Sequence, residues 1–493
     1  MRNKFAIAAA IAVAIVAWKG PQWLAFERGV KAYLYGYPLI TADVSERVMT
    51  SPEAQAAHRM GSALVNHLAH GRTFPDHRFT DVVAPNADTL YSIAWLDLSK
   101  GPMLLRLPDM HGRWVLMEVV DAWSNAFASL GTRNYGGAER TYALVGPGWS
   151  GSLPAGVTRV DSPTNIAWLI GRTYTAGAAD YDAVHQVQDQ YLLAPLTEPG
   201  KGEDTVSSGQ VEDKPVDIKT PVVSQVAALG ASEYFGRMAQ LMKDNPPAAA
   251  DAPMRANLAA LSIEPGKAFR FDALSASQQR GLEDAVWFVR AMFDARAPGT
   301  QGDLAMGPLM GPITHAAFGG VTKLMNKMLL NVRNGWMEQL NLGAYGTNYP
   351  LRAIVTLLGY GANVAADAVY PMTTVDADGQ KLDGANRYRL HFDKAQLPPA
   401  KAFWSLTMYN EKGFFIANPI GRYAIGDRDP MQYNEDGSLD ILVQTDSPGV
   451  EHEANWLPAP SGPFKLALRL YEPKPEVLNG NWVPSAVQRT AAH

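Results

Sequence analysis

Hydrophobic and polar positions along this chain change their period three times, and each change marks a passage between helix and strand. Over 18–77 the apolar positions follow helical spacing; in QWLAFERGVKAYLYGYPLI, Leu24, Val30 and Leu34 are among the apolar positions of an amphipathic helix. Ser51-Pro52-Glu53 opens a further helix, with serine as the cap and proline in the first turn. Over 81–173 the period falls to two, with turns at Pro108-Asp109, Gly112, Gly136-Gly137, Pro147-Gly148 and Pro154-Ala155-Gly156, which predicts an all-β module. Helical spacing returns after Tyr181, then over 232–244 with Phe235, Met238, Leu241 and Met242 inward, and over 277–294 with Leu282, Val286, Val289 and Phe293 inward. Two more helices are predicted at about 321–342 and 348–367, the second capped by Asn348 with Pro350 in its first turn. Over 372–472 strands return, with hairpin signals at Asp378-Gly379, Asp383-Gly384, Lys412-Gly413 and Asp436-Gly437.

This order predicts an α+β protein, and 493 residues suggest about three domain-sized units. The divisions fall at 1–18 for a leader, 19–78 for an N-terminal helical segment, 79–175 for a first β module, 176–371 for a helical region, 372–475 for a second β module and 476–493 for a tail. Within the helical region, 198–215 is polar, rich in Gly and Ser, and reads as an exposed loop. In the leader, Arg2 and Lys4 precede an uncharged apolar run over 5–18, the pattern of an export signal. Its cleavage site is poor: Ala12-Val13-Ala14 lies inside the run, and Ile15 stands third before the bond after Ala17. A cleaved signal peptide and an uncleaved anchor facing the periplasm both fit; an internal helix of a cytoplasmic protein is the third alternative.

Composition removes whole classes of chemistry. A formal net charge of -5, with both signs spread along the chain, provides no basic face for nucleic acid. With no cysteine there is no disulfide, thiolate catalyst, zinc finger or cysteine-held iron–sulfur cluster. No G-x-S-x-G elbow, Walker loop or G-x-G-x-x-G occurs, so no nucleotide cofactor is expected. His67 and His70, three apart on a predicted helix, would share a face, but no acidic residue lies within a turn, so no metal is assigned.

The remaining chemistry is Asp, Asn, Arg, Tyr and Trp, the groups that hold small polar or carbohydrate-like ligands by stacking and bidentate hydrogen bonds. It centres on 79–95, FTDVVAPNADTLYSIAW, where Asp81, Asn86, Asp88, Thr89 and Tyr91 run directly into an alternating strand. Asp88 and Asp121 are the acid–base candidates for hydrolysis, Arg133 and Arg172 the clamps, and Asn86, Tyr91 and Asn125 further ligand-binding groups. The alternative is that Asn86 and Asp88 shape an Asx turn and the arginines pair with acids, in a non-enzymatic envelope or interaction protein. Arg352, in the apolar run YPLRAIVTLLGYGANVAA, needs a partner carboxylate or a ligand anion. Membrane contact is confined to the N-terminal segment, and the oligomeric state is left open.

The strings PNADTLYS, LDLSKGP, GRWVLMEVVDAWSNAFASLGTR, SPTNIAWLIGRT, GAYGTNYPLRA, YPMTTVDADGQKLDGANRYRLHF, FWSLTMYN and NWLPAPSGPFKLALRLYEPKPEVL together resemble a large, mainly bacterial family of exported proteins. Its two halves are catalogued as a pair of domains of unknown function. The resemblance runs over about 33–482 and implies two β-sandwich-like, jelly-roll-like modules combined with helices. It carries no activity and no catalytic residues to transfer.

Overall fold

The computed structural model describes residues 2–80, 82–196, 215–296 and 331–490. Asp81, nearly all of the predicted loop 198–215, the first ten residues of the predicted helix 321–342 and the side chains of the leader lie outside that description.

The first β module is a sandwich. Its inner sheet has the order Ala69–His70, Thr89–Asp97, Ile166–Tyr174, Val115–Asp121, Ala126–Gly131, all neighbours antiparallel. Its outer sheet runs Thr158–Asp161, Arg140–Val145, Met103–Leu107, Leu192–Pro195, the last strand drawn from beyond the predicted end of the module. Alternation along Val115–Asp121 decides what lies between the sheets: Val115, Met117 and Val119 meet Leu105, Tyr142 and Leu144 in the core. Leu116 and Glu118 therefore point to the opposite face, away from that core.

The second module is also a sandwich. Strands Phe464–Pro473 and Ala400–Asn410 centre a seven-stranded sheet, against which a four-stranded sheet containing Leu439–Gln444 and Arg387–Phe392 is packed. Trp404, Leu406, Met408, Leu466, Leu468 and Leu470 meet Tyr388, Leu390, Phe392, Ile441 and Val443 in its core. The alternate residues Ser405, Thr407, Tyr409, Arg469 and Tyr471 face the other way, and all are buried. What buries them is the first module, so the two sandwiches share a polar seam.

The seven-stranded sheet begins with a hairpin, Asn331–Arg333 and Trp336–Glu338, inside the stretch predicted as the helix 321–342. Asn334 and Gly335 both have positive φ, 51° and 80°, so an Asn-Gly turn outweighs the helical spacing. The predicted N-terminal helical segment is likewise shorter: the helix Arg2–Thr50 and the short helix Pro52–Ala56 are followed by irregular chain. His70 lies in a two-residue strand and His67 in the irregular chain before it, so the two share no helical face.

A helical layer closes the molecule. Helix Arg2–Thr50 buries Tyr33, Tyr35, Tyr37, Leu39 and Ile40 against helices Ala231–Asp244 and Ala276–Arg296. The last of these approaches closely at Gly281, where a Cβ would stand 2.5 Å from the Gln22 carbonyl oxygen and 2.7 Å from Ala25 Cβ. Helix Tyr349–Gly359, capped by Asn348 Oδ1 accepting from the Leu351 amide at 3.2 Å, adds Ala353, Ile354 and Leu357 to the same core. Among the described residues, no helix is long and apolar enough to cross a membrane.

Candidate functional site

The loop before the first inner strand is an Asx turn, made by Asn86. Its Oδ1 accepts from the amides of Asp88 and Thr89, both at 2.9 Å, while its Nδ2 donates to Thr89 Oγ1 at 3.1 Å and to the Tyr91 hydroxyl at 2.8 Å. The turn carries Asp88 into the seam, where it has no exposed surface. There its carboxylate accepts from Arg428 Nη1 at 2.6 Å, Ser405 Oγ at 2.9 Å and the Tyr471 hydroxyl at 3.1 Å. All three donors belong to the second module. Arg469 ties the same loop from below, donating to the Tyr409 hydroxyl and to the Ala84 carbonyl, with its guanidinium 4.9 Å from the Tyr370 ring.

Beyond the loop, Tyr91 leads to a second charged pair. The Arg172 guanidinium lies 5.5 Å from the Tyr91 ring and donates through Nη1 to Glu118 Oε2 at 3.1 Å. Glu118 is completely buried, its Oε1 has no partner, and its pKa is pushed up to about 7. Burial is the main cause; Arg172 opposes it, the charge of Asp367 adds to it, and the Val364 backbone amide lowers it. Asp367, itself buried, is held by Ser129 Oγ and Arg133 Nε. Arg133, Asn134 and Asp367 border a crevice too narrow to hold water. A larger cavity of about 410 Å³, lined by Asn386, Arg387, Thr445, Asp446 and Arg489, lies against the outer sheet of the second module, away from the seam.

Asn86, Asp88, Tyr91, Arg172 and Arg133 thus line one seam, the last through Asp367. Asp121 and Asn125 do not join them. Asp121 is level with Leu96, since both pair with Ala167, whereas Asp88 precedes the opposite end of the same strand. Eight residues at ~3.3 Å each put the two carboxylates roughly 25 Å apart. Paired glycosidase carboxylates stand ~5–9.5 Å apart, so Asp88 and Asp121 do not flank one bond, which corrects the expected acid–base pair. Asp121 instead closes a tight turn: Oδ1 accepts from the Trp123 and Asn125 amides at 2.9 and 2.8 Å, and Asn125 Nδ2 donates to Oδ2 at 3.0 Å. Burial raises its pKa, and the Asn125 contacts oppose that.

The residues that complete the seam, Glu118, Asp367, Arg428 and Arg469, were not among the candidates read from the sequence. A signal existed for two of them. Glu118 is the lone charge inside VLMEVV, and Arg469 the lone charge inside LALRLY, where a charged side chain on a strand otherwise apolar demands a buried partner. Among the described residues no cluster of His, Asp and Glu fits a metal ion, and His70 Nδ1 is instead 2.8 Å from Ser92 Oγ.

A mixed protein of two β-sandwiches sharing a buried ionic seam, backed by helices, is the class that fold and seam define. Residues 65–195 match the family described as Protein of unknown function (DUF1254), and residues 367–475 match Protein of unknown function (DUF1214). The chain thus carries these two domains of unknown function as a pair, as in the two-domain family that its sequence resembles. Its fold is similar to that of the VPA0106 protein from Vibrio parahaemolyticus, at 20% identity and a TM-score of 0.65, covering 95% of this chain and 100% of that one. An uncharacterized protein from Burkholderia cenocepacia matches at 11% identity and a TM-score of 0.40 over 97% of both chains. No curated protein matches the chain.

Proposed function

We propose that this is an exported, membrane-tethered protein that binds a small polar or carbohydrate-like ligand at the seam between its β modules, with Glu118 exchanging a proton with it. One observation carries the reading: a carboxyl with one oxygen unpaired, buried beside Arg172, whose pKa is pushed up to about 7. A general acid or base works best when its pKa lies near the working pH. Tyr91 and Arg172 would position the ligand. The test is thermal shift of the full chain in detergent against sugars, sugar acids and hydroxy acids, repeated on Glu118→Gln and Arg172→Lys. At least one compound should raise the melting temperature in the parent and not in the variants. If no compound distinguishes parent from variants, the seam is not a ligand site. Arg2, Lys4 and the apolar run after them support export. Protease accessibility in spheroplasts, compared with intact cells, checks it.

A non-enzymatic envelope role is the second reading. It is favoured by Asp88 and Asp121, both of whose carboxylates are occupied by internal hydrogen bonds. Ligand binding without turnover, under conditions where Glu118 titrates, would decide for it.

A further inference from the structure

At the opposite end of the inner sheet from Asp88, Arg352 is buried without a counterpart for its guanidinium edge. Its side chain projects from the first turn of helix Tyr349–Gly359 and the residue is 2% exposed. Three rings surround the charge, those of Tyr35 at 5.4 Å, Trp123 at 5.6 Å and Tyr349 at 5.3 Å. Nε and Nη2 have no hydrogen-bond partner. These two nitrogens form the edge of a guanidinium whose N–H bonds run parallel, the geometry that grips both oxygens of one carboxylate.

The acids nearby do not fill that edge. Asp251 accepts the hydroxyls of Tyr35 at 3.0 Å and Tyr349 at 2.8 Å, one on each oxygen. Asp121 is engaged by Trp123 and Asn125. Two other unpartnered groups in this neighbourhood can also donate, Trp123 Nε1 and Ser124 Oγ. Buried donors without acceptors are costly, so a site holding several of them is built for an acceptor that arrives from outside.

We infer that the Nε–Nη2 edge of Arg352 receives the carboxylate of a small molecule, whose remaining body lies beside Trp123 and Ser124. A planar two-oxygen group fits the edge between aromatic faces. A single negative charge suits one guanidinium with Asp121 and Asp251 close by, whereas a doubly charged phosphate would meet both carboxylates. The site is separate from Glu118 and stands or falls independently of the proton-transfer reading.

The test uses the full chain in chloride buffer of constant ionic strength, titrated with acetate, glycolate and benzoate beside the matched neutral amides. Melting temperature and tryptophan emission are read together. At least one carboxylate should give a saturable upward shift in the millimolar range, and its amide should not. Arg352→Lys keeps the charge but removes the parallel edge, and should weaken binding by at least about tenfold. Ser124→Ala removes one hydroxyl and leaves the cage intact; it should weaken binding a few-fold and covers the case in which the lysine variant does not fold. Trp123→Phe should abolish the emission change. No saturable shift with any of the three carboxylates, equal shifts with the amides, or unchanged affinity in a folded Arg352→Lys or in Ser124→Ala would overturn the assignment.

Discussion

Replacing Glu118 by glutamine tests the electrostatics of the seam without removing its volume. The carboxyl is fully buried, and its pKa moves from an ordinary 4.5 to about 7 on folding. A tenfold change in a protonation equilibrium corresponds to ~1.4 kcal/mol, so the displacement amounts to roughly 3 kcal/mol between the protonation states. The sign follows from the direction: a raised folded-state pKa gives stability that is complete below 4.5 and is lost as pH rises through about 7. The parent should therefore lose stability from about pH 5 to about pH 8.5, whereas the glutamine variant, which cannot titrate there, should lose roughly 3 kcal/mol less. Glu46, whose pKa burial and then Asp43 and Asp97 push up to about 8, contributes a similar fall to both proteins and cancels in the comparison. Urea unfolding of both proteins at the two pH values, with slopes checked for equality, measures the difference. If the variant's stability falls with pH as steeply as the parent's, Glu118 is not the titrating group and the reasoning fails.

Asp88→Asn leaves Arg428 buried opposite a neutral amide and should cost ~3–5 kcal/mol, read as a lower urea midpoint; Ser405→Ala, which removes one neutral donor to the same carboxylate, should cost ~1 kcal/mol. Gly281→Val places carbon against the Gln22 carbonyl and Ala25, so the two long helices must separate; a loss of ~1–3 kcal/mol or more in thermal unfolding is expected. Asp121→Ala frees the Trp123 and Asn125 amides of the turn and should lower stability by ~1–3 kcal/mol while leaving the pH dependence attributed to Glu118 unchanged.

The fold was legible wherever a single period ran long enough. Tyr388, Leu390 and Phe392 point into a core, as their alternation with Arg387, Arg389 and His391 requires, and helices Ala231–Asp244 and Ala276–Arg296 lie within two residues of their predicted bounds. Reading failed where a local signal opposed the spacing. Asn334-Gly335 turns a stretch of helical spacing into a hairpin, and His67 and His70 lose their shared face because the chain after Ala56 is not helical. The site was half legible. Asn86, Asp88, Tyr91 and Arg172 were within reach because they crowd onto two adjacent strands. Their partners Ser405, Arg428 and Tyr471 lie more than three hundred residues away from Asp88, and no periodicity links positions at that separation.

That separation bears on how the molecule holds together. Most sandwich pairs are joined by apolar surface, which tolerates sliding; here the first module's inner sheet offers Asp88, Tyr91, Glu118 and Arg172 to Ser405, Tyr409, Arg428, Arg469 and Tyr471. An ionic seam contributes little net stability against an apolar one, because desolvation offsets most of the attraction, but it penalises any other register heavily. Each module alone would expose half of these charges. The Asp88 carboxylate would lose all three of its donors, and the Arg428 guanidinium its carboxylate. The two modules should therefore behave as one cooperative unit: residues 65–195, which include every strand of the first sandwich, should show broad, weakly cooperative unfolding when expressed alone, whereas the full chain should lose both sandwiches in one transition. Two separate transitions in calorimetry of the full chain, together with sharp cooperative unfolding of 65–195 on its own, would show instead that the seam is a late contact between modules already stable by themselves.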